Sequence, residues 1–169
     1  MKKILFFLFL SLSAFLNANE KNNKLADLLH SFGNNGEYAQ MDSVYNLIIH
    51  ENHYKQNKLY ALNITLDYAR FLNQKGDSER ANTLLTQIRE NAMALEKFPE
   101  NTIAHQLQEI AAIATYEIAY GQWQNNQLPA ARETAEEAVS QLEQLKDSVN
   151  LAEAYNLSGV IHRRLFMLD

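Results

Sequence analysis

The 169-residue chain contains no cysteine, only two prolines and only five glycines. Without cysteine it can have no disulfide framework, no zinc site built on thiolates, no cysteine nucleophile and no lipid-anchored N-terminal cysteine. An all-β sandwich or barrel needs a turn about every ten residues, which so few prolines and glycines cannot supply. Alanine, leucine, glutamate, glutamine and asparagine are plentiful instead. The sequence therefore predicts an all-α protein.

The sequence also lacks a cluster of basic residues. It has 15 Lys and Arg against 20 Asp and Glu, which gives a formal net charge of −5. Because phosphate binding depends on clustered cationic side chains that release counterions, we expect no nucleic-acid partner.

Motifs of the common enzyme classes are missing as well. The sequence has no glycine-rich phosphate loop, no Gly-x-Ser-x-Gly elbow and no His-Glu-x-x-His helix. None of its carboxylates stands in a motif that would set an acid and a base across a substrate. His50 and His53 have the spacing of two metal ligands on a helix, but no third ligand accompanies them. We therefore expect no enzymatic activity, no catalytic residues, no cofactor and no metal site.

Residues 1–18 have the pattern of a secretory signal peptide. Two lysines follow the initial methionine, residues 4–15 are almost wholly apolar, and Ala18 supplies a small residue for cleavage. The apolar run is about a dozen residues long, which is short of the roughly 20 that span a bilayer as a helix. A cleaved leader is therefore favoured over a retained membrane anchor.

Cleavage after Ala18 would leave residues 19–169 as the mature domain. Cleavage after Ala14 is the alternative, because Leu16 is larger than the residue usually found at that distance before the cut. In either case we expect an exported protein, periplasmic or secreted, whose mature domain is not embedded in the membrane.

From residue 22 onward, apolar residues recur at spacings of three and four, which is the period of amphipathic helices. The segments that interrupt the pattern contain Gly, Pro, Asn and Asp, which stop one helix and start the next. The predicted helices are residues 22–32, 37–51, 57–74, 77–96, 101–124, 129–146 and 149–167. Because the links between them are short, we expect successive helices to be antiparallel neighbours.

The helices also repeat one another in sequence. Nine positions of a first repeat align without a gap with a second repeat and, less closely, with a third. The aligned residues are Leu25, Leu28, Leu29, Phe32, Gly36, Tyr38, Met41, Tyr45 and Ile48; then Thr65, Tyr68, Ala69, Leu72, Gly76, Ser78, Ala81, Leu85 and Ile88; then Thr115, Ile118, Ala119, Gln122, Asn126, Leu128, Ala131, Ala135 and Ala138. A fourth repeat begins near Tyr155 and has one helix only. Repetition of this kind is typical of helical solenoids.

This pattern resembles the tetratricopeptide repeat, a helix-turn-helix unit of 34 residues. The best matches include Tyr68-Ala69, Gly76-Asp77 and residues 157–162. The resemblance covers residues 22–169 and implies a right-handed superhelical array of antiparallel helix pairs, an α-solenoid of about three and a half repeats. The spacings of 40 and 50 residues between repeats exceed the family standard. An unrelated helical bundle is the alternative, since small residues at helix crossings occur there too.

In such arrays the first helix of every pair lines a continuous concave surface, which binds a partner. The resemblance therefore implies a non-catalytic scaffold that binds a protein or peptide outside the cytoplasm. The groove-facing positions of the family include Asn63, Arg70, Asn73, Tyr116, Tyr120, Trp123, Glu153, Asn156 and Arg163. Tyr and Trp give contact area at low entropy cost, while Asn and Arg bond carbonyls or carboxylates. The alternative is that the three aromatic residues simply form one buried helix face.

Residues 165–168 are apolar and follow directly on the single helix of the fourth repeat. A solenoid normally supplies a second helix and a polar cap there, so we expect an uncovered apolar side. Two explanations are open: the chain continues in a longer protein, or the exposed helix docks on a second copy or another partner. The first gives an alternative function, the N-terminal sensor (input) region of a longer bacterial membrane signalling protein such as a histidine kinase or a diguanylate cyclase.

Overall fold

The computed structural model describes residues 18–96, 103–146 and 148–167, and every regular element in these ranges is helical. The prediction of an all-α chain is confirmed. The segment predicted to be a signal peptide lies outside the described residues, apart from Ala18.

Eight helices occur in the described ranges. They are α1 (Ala18–Asn34), α2 (Tyr38–Ile48), α3 (Asn52–Gln56), α4 (Lys58–Lys75), α5 (Ser78–Glu96), α6 (Ala104–Gln124), α7 (Leu128–Leu145) and α8 (Ser148–Phe166). Seven of them correspond to the helices expected from periodicity, with bounds that differ by a few residues. The remaining one, α3, occupies a segment that the sequence pattern assigns to a link.

Helix α2 ends earlier than expected because its last turn tightens. The amide of His50 donates to the carbonyl of Leu47 at 3.2 Å. The amide of Glu51 likewise donates to the carbonyl of Ile48 at 3.0 Å. Bonds to the carbonyl three residues back form the 3₁₀ pattern that closes many helices. Glu51 then takes an extended conformation, with φ −70° and ψ 145°, and starts the five-residue helix α3.

The chain divides into two compact units, residues 1–61 and 62–169. In the first unit, α1 packs against α2. The buried side chains of these two helices include Leu29, Met41 and Ile48, and burying a side chain of this size contributes roughly 1.5–3 kcal/mol. An ion pair of 2.8 Å between Lys21 Nζ and Glu51 Oε1 connects the first turns of α1 to the residue that precedes α3.

In the second unit, α5 packs against α6, α6 against α7 and α7 against α8, and α6 also contacts α8. Much of this core is alanine. Buried alanines include Ala81, Ala112, Ala114, Ala119, Ala131, Ala135, Ala138 and Ala154. Because alanine presents only a methyl group, helices that meet at these positions can approach closely. Larger side chains such as Leu107, Leu142 and Ile161 fill the remaining interior.

Three turns between helices share one hydrogen-bond pattern, at residues 32–37, 72–77 and 122–127. In each, the last amide donates to the carbonyl five residues back at 2.8–2.9 Å, and the amide before it donates to the carbonyl three residues back at 2.9–3.0 Å. This is the Schellman motif, which places a left-handed residue after the helix. Gly36 (φ +71°), Gly76 (φ +87°) and Asn126 (φ +58°) adopt that conformation. They are the residues that the sequence alignment equates.

We predict that Gly76→Ala destabilises the protein by about 1 kcal/mol, because the left-handed conformation costs an L-residue about that much. Beyond the adjacent residues no atom lies within 4 Å of the Cβ position, so the cost comes from the local backbone and not from packing. Asn126→Gly should act in the opposite direction and stabilise by roughly 0.5 kcal/mol. Urea denaturation followed by circular dichroism measures both effects.

Asn125→Gly is the matched control, since Asn125 has an ordinary φ of −82°. There glycine brings only its greater freedom in the unfolded chain, so this variant should not be stabilised. If Asn125→Gly and Asn126→Gly stabilise equally, the left-handed geometry of this turn is wrong.

Candidate binding surface

One arginine joins helices α4, α6 and α8. Arg70 on α4 donates from Nε to Oε1 of Glu117 on α6 at 2.8 Å. Its Nη2 lies 3.7 Å from Oε2 of Glu153 on α8. The guanidinium therefore has a charge-assisted hydrogen bond on one side and a longer ion pair on the other. A single side chain thus connects three helices that are not consecutive in the chain.

Glu117 is the buried member of this group, with 6% of the residue exposed. The buried amide of Asn73 donates from Nδ2 to Glu117 Oε2 at 3.1 Å and to the Glu117 backbone carbonyl at 2.9 Å. Burial raises the pKa of the Glu117 carboxyl, and the charge of Arg70 and the hydrogen bond from Asn73 offset only part of that effect. A buried carboxylate costs several kcal/mol unless it is paired and hydrogen-bonded. Here each of its two oxygens has a donor.

Gly121 on α6 lies beside the side chain of Asn73. Oδ1 of Asn73 lies 3.1 Å from the point that a Cβ at residue 121 would occupy. A Cβ there would be closer than nearly all ordinary Cβ contacts, so glycine lets α6 approach the amide closely. No hydrogen-bond partner for this oxygen occurs among the described residues.

Tyr116 lies beside the charged groups. Burial raises the pKa of its phenol, the carboxylates of Glu117 and Glu153 raise it further, and Arg70 lowers it only in part. Tyr116 is therefore a neutral hydroxyl donor near neutral pH. We call Arg70, Tyr116, Glu117 and Glu153 the Arg70 cluster.

Three members of the Arg70 cluster can be reached from solvent. The side chain of Arg70 is 34% exposed, that of Glu153 is 48% exposed, and Tyr116 is half-buried. They present guanidinium N–H donors, a phenolic hydroxyl and carboxylate oxygens. With Glu117 included, two carboxylates face one guanidinium. The arrangement suits hydrogen bonding to a polar group, and a cationic one best.

Tyr120 and Trp123 follow along α6, with their ring centroids 5.7 Å apart. Both pack against a buried cluster of Ala119, Ala131, Ala135, Leu157 and Ile161. The indole Nε1 of Trp123 is buried and has no hydrogen-bond partner within the described part of the chain. Since each ring also remains partly exposed, the two side chains belong both to the packing of α6, α7 and α8 and to the surface.

The sequence places Arg70, Asn73 and Tyr116 on a common surface, but it misses Glu117, around which the structure arranges them. Asn73 is buried and supports this carboxylate from inside. A sequence signal for Glu117 exists, because it is the only charged residue in the run 110–121. A lone carboxylate among apolar and small residues indicates a buried charge that needs donors from another helix.

The remaining expected groove residues are exposed. Asn63 is exposed on α4, and Asn156 and Arg163 are exposed on α8. Over the ranges that the structure describes, no hydrogen bond or ion pair joins Asn156 or Arg163 to the Arg70 cluster.

Two kinds of site are absent from the described ranges. No three His, Cys, Asp or Glu side chains converge there in a way that could hold a metal ion. None of the helices described combines the length and the apolar character that crossing a membrane requires.

Comparison of the chain with protein-family models, with curated proteins and with solved structures finds no match. The role of the Arg70 cluster therefore follows from its own contacts and exposure.

We predict that Arg70→Ala destabilises the protein by about 2 kcal/mol at pH 7, because it removes the countercharge and a charge-assisted hydrogen bond from buried Glu117. The loss should depend on pH. Burial raises the folded-state pKa of Glu117 above its ordinary value of 4.5. The free energy of unfolding therefore falls as the pH rises from the ordinary pKa to the folded-state pKa. Without Arg70 this pKa is higher still and the fall is larger. Urea denaturation should therefore show that Arg70→Ala loses less than half as much stability at pH 4 as it does at pH 7.

Arg132→Ala is the control for this experiment. Arg132 Nε lies 4.0 Å from Glu136 Oε1, and both side chains are about half exposed. Removal of such a surface pair should cost less than about 0.5 kcal/mol at either pH. A loss for Arg70→Ala that is the same at pH 4 and pH 7 would show that Arg70 does not act through Glu117.

Proposed function

We propose that this chain is a non-catalytic scaffold that binds an extended peptide or a protein segment outside the cytoplasm. The binding surface is the exposed part of the Arg70 cluster, which crosses α4, α6 and α8. The observation that carries the proposal is the position of Arg70. Its guanidinium contacts carboxylates on two other helices, yet a third of the side chain stays open to solvent.

The packing of the second unit supports a tetratricopeptide-like arrangement for this surface. Successive helices pack together, and α6 also contacts α8, as the first helices of adjacent repeats do in a solenoid. The turns at 72–77 and 122–127 have the same hydrogen bonds. We infer a right-handed array in which α4 pairs with α5, α6 pairs with α7, and α8 follows. Helices α4, α6 and α8 then form one layer.

The chemistry of the surface favours a polypeptide partner with a basic side chain. Arg70 and Tyr116 can donate to backbone carbonyls, and Glu153 can accept from backbone amides. Two carboxylates against one guanidinium leave a local negative charge, which attracts Lys or Arg. The half-exposed rings of Tyr116 and Tyr120 add contact area at low entropy cost.

The location of the function follows from residues 1–18, whose pattern is that of a secretory signal peptide. The partner is then a protein or peptide of the cell envelope or the medium. The location outside the cytoplasm is independent of the binding surface. Fractionation of cells that express the full chain tests the location separately.

A display experiment tests the surface. Random peptides of twelve residues are selected on the purified protein, and their affinities are measured by isothermal titration calorimetry. We expect enrichment of peptides with at least one Lys or Arg. Tyr116→Phe and Glu153→Gln should each weaken binding at least tenfold, because each removes one hydrogen-bonding group from the surface and leaves the rest of the side chain in place.

Tyr155→Phe and Glu133→Gln are matched controls, because both residues are exposed outside the Arg70 cluster. Each should change affinity less than twofold. The assignment is refuted if Tyr116→Phe and Glu153→Gln leave the affinity unchanged. It is also refuted if the two controls weaken binding as much as these variants do. Unchanged circular dichroism spectra establish that the variants are folded.

A further inference from the structure

Helix α8 has one exposed face with a regular pattern. Spacings of three and four residues alternate along it, through Val149, Ala152, Asn156, Gly159, Arg163 and Phe166, all of them exposed. Val149 and Phe166, large apolar side chains at its ends, are 69% and 78% exposed. Alternation of three and four is the 3.5-residue period of a coiled-coil seam. The face therefore has the form of a helix-pairing surface.

We propose that a second copy of this chain covers this face, with the two α8 helices antiparallel. The six positions are symmetric about a point between Leu157 and Ser158, as a twofold axis requires. Val149 then lies opposite Phe166 of the second copy, so each exposed apolar end meets another and leaves water. Asn156 lies opposite Gly159 of the second copy, beside the axis.

Charge decides between the two directions of pairing. In a parallel pair, Arg163 would face Arg163 of the second copy, and the like charges would repel. In the antiparallel pair it faces Ala152, so the two arginines are about 16 Å apart at 1.5 Å per residue. Glu153 follows Ala152 directly, and half of its side chain is exposed. Its carboxylate is therefore available to the incoming guanidinium.

Small residues in the middle of the face let the helices approach. Ala152 carries only a methyl group, and no other atom lies within 4 Å of the Cβ position of Gly159. Helices that meet at such residues reach the short end of the usual 8–10 Å range. Asn156 costs some stability within the seam, but a polar residue at one seam position fixes the register of a helix pair.

Introduced thiols report on this pairing directly, because the chain has no cysteine. Val149→Cys/Phe166→Cys should form disulfide-linked dimers under mild oxidation, since the two positions meet across the pair. Within one helix they are about 25 Å apart at 1.5 Å per residue, which is too far for a disulfide. Each single variant should give at least tenfold less dimer, because identical positions are equally far apart in an antiparallel pair. Non-reducing gel electrophoresis of the purified protein measures the yields.

The control Ala130→Cys/Gln144→Cys carries two exposed thiols on α7, away from this face. If Val149→Cys alone gives as much disulfide-linked dimer as the double variant, the antiparallel arrangement is wrong. Dimer from the double variant at or below the control yield would overturn the second copy as occupant, and would leave a continuing chain or another partner to cover the face.

Sedimentation velocity tests the charge pairing separately. Arg163→Glu places a carboxylate opposite Ala152 of the second copy, next to Glu153, and should weaken self-association at least tenfold. Arg132→Glu makes the same change on α7, outside the face, and should weaken it less than threefold. A concentration-independent monomer for the unmodified protein, or equal association of the two variants, would overturn the proposal.

Discussion

The carboxylate of Glu117 is buried on α6, where an ionised group is tolerated only if donors reach it from outside its own helix. Both side-chain donors, Arg70 and Asn73, come from α4. A slide of α4 along α6 by one helical turn, about 5.4 Å, would break both bonds. The buried charge therefore fixes the register of two helices, and the second contact of Arg70, with Glu153, adds α8.

Local patterns in the sequence predict most of the helices, because each helix depends on periodic apolar positions and on residues that stop it. The alignment of Gly36, Gly76 and Asn126 also anticipates turns with the same hydrogen bonds, since a left-handed residue is a local requirement. Helix α3 escapes prediction because a tightened last turn and one extended residue, Glu51, create it. No periodic pattern marks such a break.

The candidate surface is less accessible to sequence reasoning. Arg70 and Asn73 are recognisable as polar residues on a helix, but their partner Glu117 is 47 and 44 residues away in the chain. The packing of α4 on α6 decides which distant residues meet. Gly121 contributes to this packing because it has no side chain beside Asn73. The same packing decides that Tyr120 and Trp123 contact the core and still reach the surface. Periodicity alone leaves both roles open for them.

Trp123 is the single tryptophan of the chain, and its indole packs against residues of α6, α7 and α8. Its fluorescence therefore originates at one known point, where three helices of the second unit meet. The emission of a partly buried indole shifts when its surroundings change in polarity. The protein thus carries an intrinsic optical probe of the junction between these helices, close to the charged surface, without any added label.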